Sequence, residues 1–287
     1  MVGVLGFTGG QKEEAKPLGL VAEPPATLER QPFVSIHLPL YNEKKVVERI
    51  LTACADIEYP NFEIIVADDS TDETTEIIKR FISDRNLESK IKLIHRADRT
   101  GFKGGALAEA LKQTDTQAEY IMVLDADFIP YPDTIEQFLK YFQLAENRKL
   151  KTESQRIAVV QGYQWHVLNK SENWITRGVR SEFSGSYVVE RAGTELYGGL
   201  KMIAGSVYMI KRKILERIGW GTSITEDFQL TLKLYEAGYK VCYTPYIQTP
   251  SECVSTIRRL IRQRMRWAEG HTFNIKKCLA AYSFPQT

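Results

Sequence analysis

The chain has 287 residues, of which 43% are hydrophobic and 26% charged, and a formal net charge of +2. That length can hold one large domain or two small ones around a sizeable core. The ordinary globular composition and near-neutral charge give no case for nucleic-acid binding. Cys54, Cys242, Cys253 and Cys278 form no CxxC pair, which argues against a structural zinc or a disulfide framework and fits a reducing compartment. No stretch reaches the ~18 apolar residues of a membrane span. No basic segment followed by a long apolar one marks a secretory signal.

Residues 1–31 contain Gly9-Gly10, Lys12-Glu13-Glu14 and Pro24-Pro25 with little periodicity, and read as a poorly ordered tail or linker. From Phe33 onward strand-like and helix-like patterns alternate. A strand over 33–38 precedes a helix over 45–54 with Val46, Val47, Ile50 and Leu51 on one face. A strand over 62–67 precedes a helix ending near 82, with Ser70-Thr71-Asp72-Glu73 at capping-box spacing. A strand over 91–94 leads through a Gly104-Gly105 turn to a helix over 106–112, and a strand over 120–124 is followed by a helix over 134–144. This βαβα order predicts a mostly parallel sheet with right-handed crossovers and helices on both faces. Ligands bind such sheets outside the carboxyl ends of the strands, where segments 39–43, 68–69 and 125–127 all fall. The second half is less regular: strands over 157–162, 206–210 and 240–243, and helices within 174–189 and over 213–218, 226–237 and 254–279. No repeat or linker divides 32–287, so one domain with two subregions, 32–150 and 151–287, is expected.

Several motifs carry chemistry. Asp125-Ala126-Asp127 ends an apolar run, and in extended backbone residues i and i+2 share a side. The two carboxylates either hold Mg²⁺ or Mn²⁺ with a diphosphate or simply end the strand in a polar loop. At Asp68-Asp69-Ser70 one acid suffices for a helix cap, leaving a second to accept from a nucleobase or ribose. Arg99-Thr100-Gly101-Phe102-Lys103-Gly104-Gly105 lacks the P-loop pattern but resembles an anion-binding turn or an ordinary glycine connection. In Ser223-Ile224-Thr225-Glu226-Asp227 a capping box accounts for Glu226 but leaves Asp227, either a dipole-favoured first-turn acid or a general base. Gln263-Arg264-Met265-Arg266-Trp267 lies in a basic, partly amphipathic helix. Its arginines form a solvated face, a membrane-surface face or a phosphate contact, and Trp267 is a candidate platform for a sugar ring.

Asp-Asp, Asp-x-Asp, Thr-Glu-Asp and Gln-x-x-Arg-Trp in this order, with Leu38-Pro39-Leu40-Tyr41-Asn42-Glu43 and Asp125-Ala126-Asp127-Phe128-Ile129-Pro130, resemble the inverting family 2 glycosyltransferases. The likeness is strongest to the branch of cellulose synthases and cellulose-synthase-like mannan and glucan synthases, and it runs from about 33 to 277. The resemblance implies a GT-A fold, with a Rossmann-like nucleotide-sugar half and an acceptor half. It implies that Pro39, Tyr41, Glu43 and one or both of Asp68 and Asp69 hold the nucleoside, and that Lys103 lies near the phosphates. Asp125 and Asp127 would bind diphosphate and metal, and Asp227 would be the catalytic base. Gly205, Ser206, Glu226, Gln263, Arg266 and Trp267 would serve diphosphate and acceptor.

The implied reaction moves glucose or mannose from UDP-glucose or GDP-mannose to a saccharide hydroxyl, with Mg²⁺ or Mn²⁺ as cofactor. A lipid acceptor such as a polyprenyl phosphate or ceramide is the nearest alternative, and a non-catalytic sugar-nucleotide sensor the alternative of another class. Members of this branch normally carry membrane helices before and after the catalytic domain. The expectation is therefore a cytosolic domain whose last helix lies on the inner membrane surface.

Overall fold

The computed structural model describes residues 27–147, 157–169 and 171–283. The described residues form one seven-stranded sheet in the order β3-β2-β1-β4-β6-β5-β7. The strands are β1 (Phe33–Leu40), β2 (Phe62–Asp68), β3 (Ile91–His95), β4 (Ala118–Val123), β5 (Ile157–His166), β6 (Tyr208–Lys211) and β7 (Lys240–Ser251). Only β6 is antiparallel to both of its neighbours; β1, β2, β3 and β4 pair in parallel, as do β5 and β7. This is the mostly parallel α/β sheet that the strand-helix alternation predicts.

Strands covered on both faces read as continuous apolar runs, and β2 is buried at every position. Alternate residues serve the two faces. Ile64, Val66, Met122 and Leu124 join one core with helices α1 (Val47–Ala55), α2 (Thr74–Asp84) and α4 (Thr134–Asn147). Ile121 and Val123 face the other way, against α7 (Arg212–Ile218) and α8 (Glu226–Glu236), while Ile65 and Ala67 pack on α3 (Phe102–Gln113). Between β5 and β6, α5 (Trp174–Ser184) continues through a π-helical stretch (Gly185–Arg191) into α6 (Ala192–Leu196). Helix α9 (Ile257–Ser283) closes the described chain.

Chain order reverses at the β1–β4 boundary, since β2 and β3 lie to one side and β4 to the other. A sheet of this kind leaves its ligand crevice there.

Three local expectations are corrected. Glycines 104 and 105 do not make the turn; they lie inside α3, and Gly101 takes the left-handed conformation before it (φ 75°). Both are small because backbone approaches closely. A Cβ on Gly104 would overlap the Gly221 carbonyl oxygen, and one on Gly105 the Thr100 carbonyl oxygen. Neither expected capping box forms: α2 and α8 start at N-caps, Glu73 and Thr225, whose side chains make no capping bond. Ser70 accepts instead from the Asn42 amide at 2.8 Å, and Asp72 from the Thr74 amide at 3.0 Å. The last residues of the expected tail belong to the domain. Leu28 packs on the core, the Glu29 amide donates to Gln143, and Arg30 pairs with Glu119 at 2.8 Å. Residues 1–26 of that tail lie outside the described residues.

Candidate active site

A cleft of about 860 Å³ opens over the carboxyl ends of β1 and β4 and runs on to α5, the π-helical stretch and α9, a volume suited to a small-molecule substrate. Of the residues expected in a site, Pro39, Tyr41, Glu43, Asp69, Lys103, Asp125, Asp127, Gly205, Glu226, Asp227, Gln263, Arg266 and Trp267 line it. Two do not. Asp68 is fully buried; its Oδ1 accepts from the Ser70 amide at 3.0 Å and its Oδ2 from Thr75 Oγ1 at 2.5 Å, 3.2 Å from His95 Nδ1. Successive strand residues point to opposite sides, so Asp68 joins β2 to its neighbours while Asp69 meets the cleft. Ser206 is likewise buried, and its Oγ accepts from the Asp125 amide at 2.9 Å. It supports the end of β4 rather than facing a ligand.

At one end of the cleft, Arg96 grips Asp69 with two bonds, Nε to Oδ1 at 2.6 Å and Nη2 to Oδ2 at 2.5 Å. The Arg99 guanidinium lies 3.4 Å from the centroid of the Tyr41 ring. A flat aromatic face beside a fixed carboxylate suits a planar base.

The centre is organised around Lys103. Its ammonium donates to Asp125 Oδ1 at 2.5 Å and to the Gly205 carbonyl at 2.6 Å, and lies 3.5 Å from Glu226 Oε1. Burial alone would lower Lys103, but Asp125, Glu226 and Asp227 outweigh it and raise it above the usual lysine value. Gly205 adopts φ 76°, and a Cβ there would stand 3.1 Å from Asp227 Oδ2 and 3.7 Å from Lys103 Nζ. The missing side chain leaves room for that carboxylate. Asp227 Oδ1 accepts from the Phe228 amide at 2.8 Å. Burial raises Asp227 above the ordinary carboxylate range, against the pull of Lys103, the Phe228 amide and His271. Glu226 rises to about 7, first through burial and then through Asp227 and Asp125, with Lys103 opposing.

The backbone here is held under strain. Asn42, Phe102 and Val207 all have positive φ, at 57°, 50° and 57°, which for a β-branched valine is costly. Two glutamines of β5 hold the Val207 segment. Gln161 Nε2 donates to the carbonyls of Ser206 and Val207, and Gln164 Nε2 to that of Ala204 at 2.5 Å.

Glu43 and Asp127 are both pushed up to about 7, chiefly by burial and then by Asp125 and Glu252, with further repulsion between the two. Against these acids stand Lys103 and, on Glu252, Arg49 at 2.7 Å. Such an excess of half-buried negative charge fits a divalent cation. No group of three or more His, Cys, Asp or Glu among the described residues is arranged to hold a metal by itself, so oxygens of a bound diphosphate would complete any coordination.

The far end is aromatic and basic. Phe183 lies 3.8 Å from the His166 ring and 6.4 Å, edge-on, from Trp267; Arg264 sits 4.6 Å over Trp267 and pairs with Glu182 at 2.6 Å. The Gln263 side-chain carbonyl is buried with no hydrogen-bond partner among the described residues. Sequence reasoning missed Glu252, His166, Phe183, Tyr187, Arg191 and His271, all of which line the cleft. Glu252 had a signal: it follows the carboxyl end of β7, a strand expected to stop at 243. The aromatic residues had none, because only the packing of α5 against α9 brings Phe183 to Trp267.

A mostly parallel seven-stranded α/β sheet with acids at its switch point is a GT-A-like glycosyltransferase fold. The chain belongs to the glycosyltransferase-like family 2, matched over residues 31–270. It is 30% identical over 255 residues to glucomannan 4-beta-mannosyltransferase 7 of Arabidopsis thaliana, covering 86% of this chain and 44% of that protein. It is 32% identical over 245 residues to the beta-monoglucosyldiacylglycerol synthase of a Nostoc species, covering 83% and 49%. The chain thus spans less than half the length of these curated relatives. Among solved structures, the mannosyltransferase PcManGT from Pyrobaculum calidifontis in complex with GDP-Man and Mn²⁺ superposes with a TM-score of 0.66 at 22% identity, covering 90% of this chain and 68% of that one. Glucosyl-3-phosphoglycerate synthase from Mycobacterium tuberculosis, in complex with Mn²⁺, uridine diphosphate and phosphoglyceric acid, gives 0.53 at 17%, covering 86% and 82%. At such identities the likeness concerns the fold.

Proposed function

We propose that this chain transfers glucose or mannose from UDP-glucose or GDP-mannose to a saccharide hydroxyl, inverting the anomeric carbon. The observation that carries this reading is the convergence on Lys103, which touches Asp125 on one side and Glu226 on the other, with Asp227 fitted against bare Gly205. One lysine thus links the diphosphate end of the cleft to the base end. Tyr41, Asp69 and Arg99 would hold the nucleoside, with Pro39 and Glu43 beside them. Asp125 and Asp127 would hold Mg²⁺ or Mn²⁺, which when bound offsets charge growing on the diphosphate. The acceptor oxygen bonds to the anomeric carbon as the carbon–phosphate-oxygen bond breaks and its electron pair leaves with the diphosphate. Asp227 takes the hydroxyl proton, and a raised pKa suits a base working near neutrality. Gln263, Arg266 and Trp267 would contact diphosphate and acceptor sugar.

The test is nucleotide release from UDP-glucose and from GDP-mannose with Mn²⁺ and oligosaccharide acceptors. Asp227→Asn should cut turnover by about 10²- to 10⁴-fold while leaving donor affinity in place. Turnover that survives the change would remove Asp227 as base, and donor binding without turnover in the unaltered chain would favour a sensor. The similarity to a beta-monoglucosyldiacylglycerol synthase supports a second reading with a lipid acceptor, for which diacylglycerol vesicles replace the oligosaccharide in the same assay. No helix among the described residues is long and apolar enough to cross a membrane. On α9, Ile257, Ile261 and Met265 are exposed beside Arg258, Arg259 and Arg262, which supports peripheral contact with an anionic membrane surface.

A further inference from the structure

Helix α9 carries Gln263, Arg266 and Trp267 on one stretch, and its next two turns grip the loop that delivers Asp227. Asn274 is 3% exposed. Its Nδ2 donates to Ser223 Oγ at 3.0 Å and to Thr225 Oγ1 at 3.1 Å, with the Thr225 carbonyl at 3.4 Å. An amide nitrogen has two hydrogens, so two of these are full bonds and the third is shared. One turn earlier, α9 comes so close to the loop that a Cβ on Gly270 would fall 2.5 Å from both Cγ2 and Oγ1 of Thr225. Between them His271 packs its ring 4.6 Å from Phe228.

An asparagine inside a helix is a poor helix former, and a buried amide costs stability unless bonded. Here the Nδ2 donors go to Ser223 and to Thr225, the residue that opens α8, while Oδ1 is buried with no hydrogen bond among the described residues. Thr225 is the N-cap of that helix and makes no capping bond of its own, so the first turn, which holds Glu226 and Asp227, is fixed from outside. The opposite flank of the same loop meets α3, through Gly104 against the Gly221 carbonyl and Lys103 against Glu226.

We propose that Asn274 is a positioning residue: it ties the loop of Asp227 to the helix of Gln263, Arg266 and Trp267, so that base and acceptor wall keep one spacing. The inference rests on Asp227 being the base. Loss of the tie misplaces a proton acceptor without touching the nucleotide end, and small misplacements are costly to rate.

The experiment compares Asn274→Leu, close in shape but without the amide, with Gly270→Ala, which favours the helix yet wedges it from Thr225. Each is measured for kcat with saturating donor, donor affinity by calorimetry, and thermal unfolding. The expected result is a fall in kcat of about ten- to a hundredfold with donor affinity within threefold. The Asn274→Leu, Asp227→Asn double variant should be no slower than Asp227→Asn alone, because a base already lost cannot be misplaced. A folded Asn274→Leu with undiminished kcat, or losses that multiply in the double variant, overturns the proposal. Should Asn274→Leu not fold, Gly270→Ala decides on the same readouts, alone and combined with Asp227→Asn. Full activity in Asp227→Asn by itself would instead sink the reading of the base, and this proposal with it.

Discussion

Asp68 and Asp69 are adjacent and chemically identical, and the fold gives them opposite work. Asp68 accepts from Ser70 and Thr75 in the interior, whereas Asp69 faces the cleft in the grip of Arg96. Asp68→Asn leaves a buried acceptor set mismatched and should cost about 1–3 kcal/mol of stability in urea titration, with nucleotide-sugar affinity unchanged. Asp69→Asn should do the reverse, weakening donor binding more than folding. Titration gives a second prediction at this scale. Glu43 and Glu226 have folded pKa values raised to about 7 from 4.5. A carboxylate raised on folding stabilises the native state fully below its unfolded pKa, and that contribution is lost as pH rises through the folded value. The ligand-free protein should therefore lose thermal stability from about pH 5 to pH 8, with a shallower fall in Glu226→Gln. An equal slope in that variant would count against this account of the buried acid.

Among the elements, α3 shows how a glycine pair misleads. Glycine either supplies a positive φ or lets backbone come close, and a single sequence shows only that it is present. Gly104 serves the second purpose, against Gly221 and Glu226. Alanine there gains about 1 kcal/mol of helix propensity but must push the loop of Glu226 aside. The net expectation is a destabilisation of about 1–3 kcal/mol with a loss of turnover, read by denaturant titration and nucleotide release together. A more stable, fully active Gly104→Ala would mean that the loop gives way freely. Strand β7 carries the converse lesson. Its apolar start was legible, but Pro245 and Pro250 hid the continuation to Ser251, because proline normally excludes a ladder position. With that end went the signal for Glu252.

For the molecule as a whole, the β1–β4 reversal brings Glu43, Asp125 and Asp127 over adjacent strand ends and the end of β7 adds Glu252 to the same cleft, a concentration of charge that folding alone leaves poorly compensated. A cation with a nucleoside diphosphate should therefore stabilise the folded chain as a unit. Mn²⁺ with UDP or GDP at about a hundred times Kd should add about 2.7 kcal/mol, visible as a higher unfolding temperature. Asp127→Ala should abolish the Mn²⁺-dependent part of that shift. An undiminished shift would place the cation elsewhere.

The linear order of residues determined the alternation of strands and helices, the mostly parallel sheet and most of the cleft's acids, because apolar periodicity and strand ends are local properties of a chain. It also carried the family, through four short motifs in a fixed order. Only the tertiary structure separated Asp68 from Asp69, turned Glu226 from a helix cap into a partner of Lys103, and set Phe183 beside Trp267. Those outcomes depend on which face a side chain takes and on what another element, over a hundred residues away in the case of Lys103 and Glu226, brings against it. Packing fixes such relations, and no short stretch of sequence contains them.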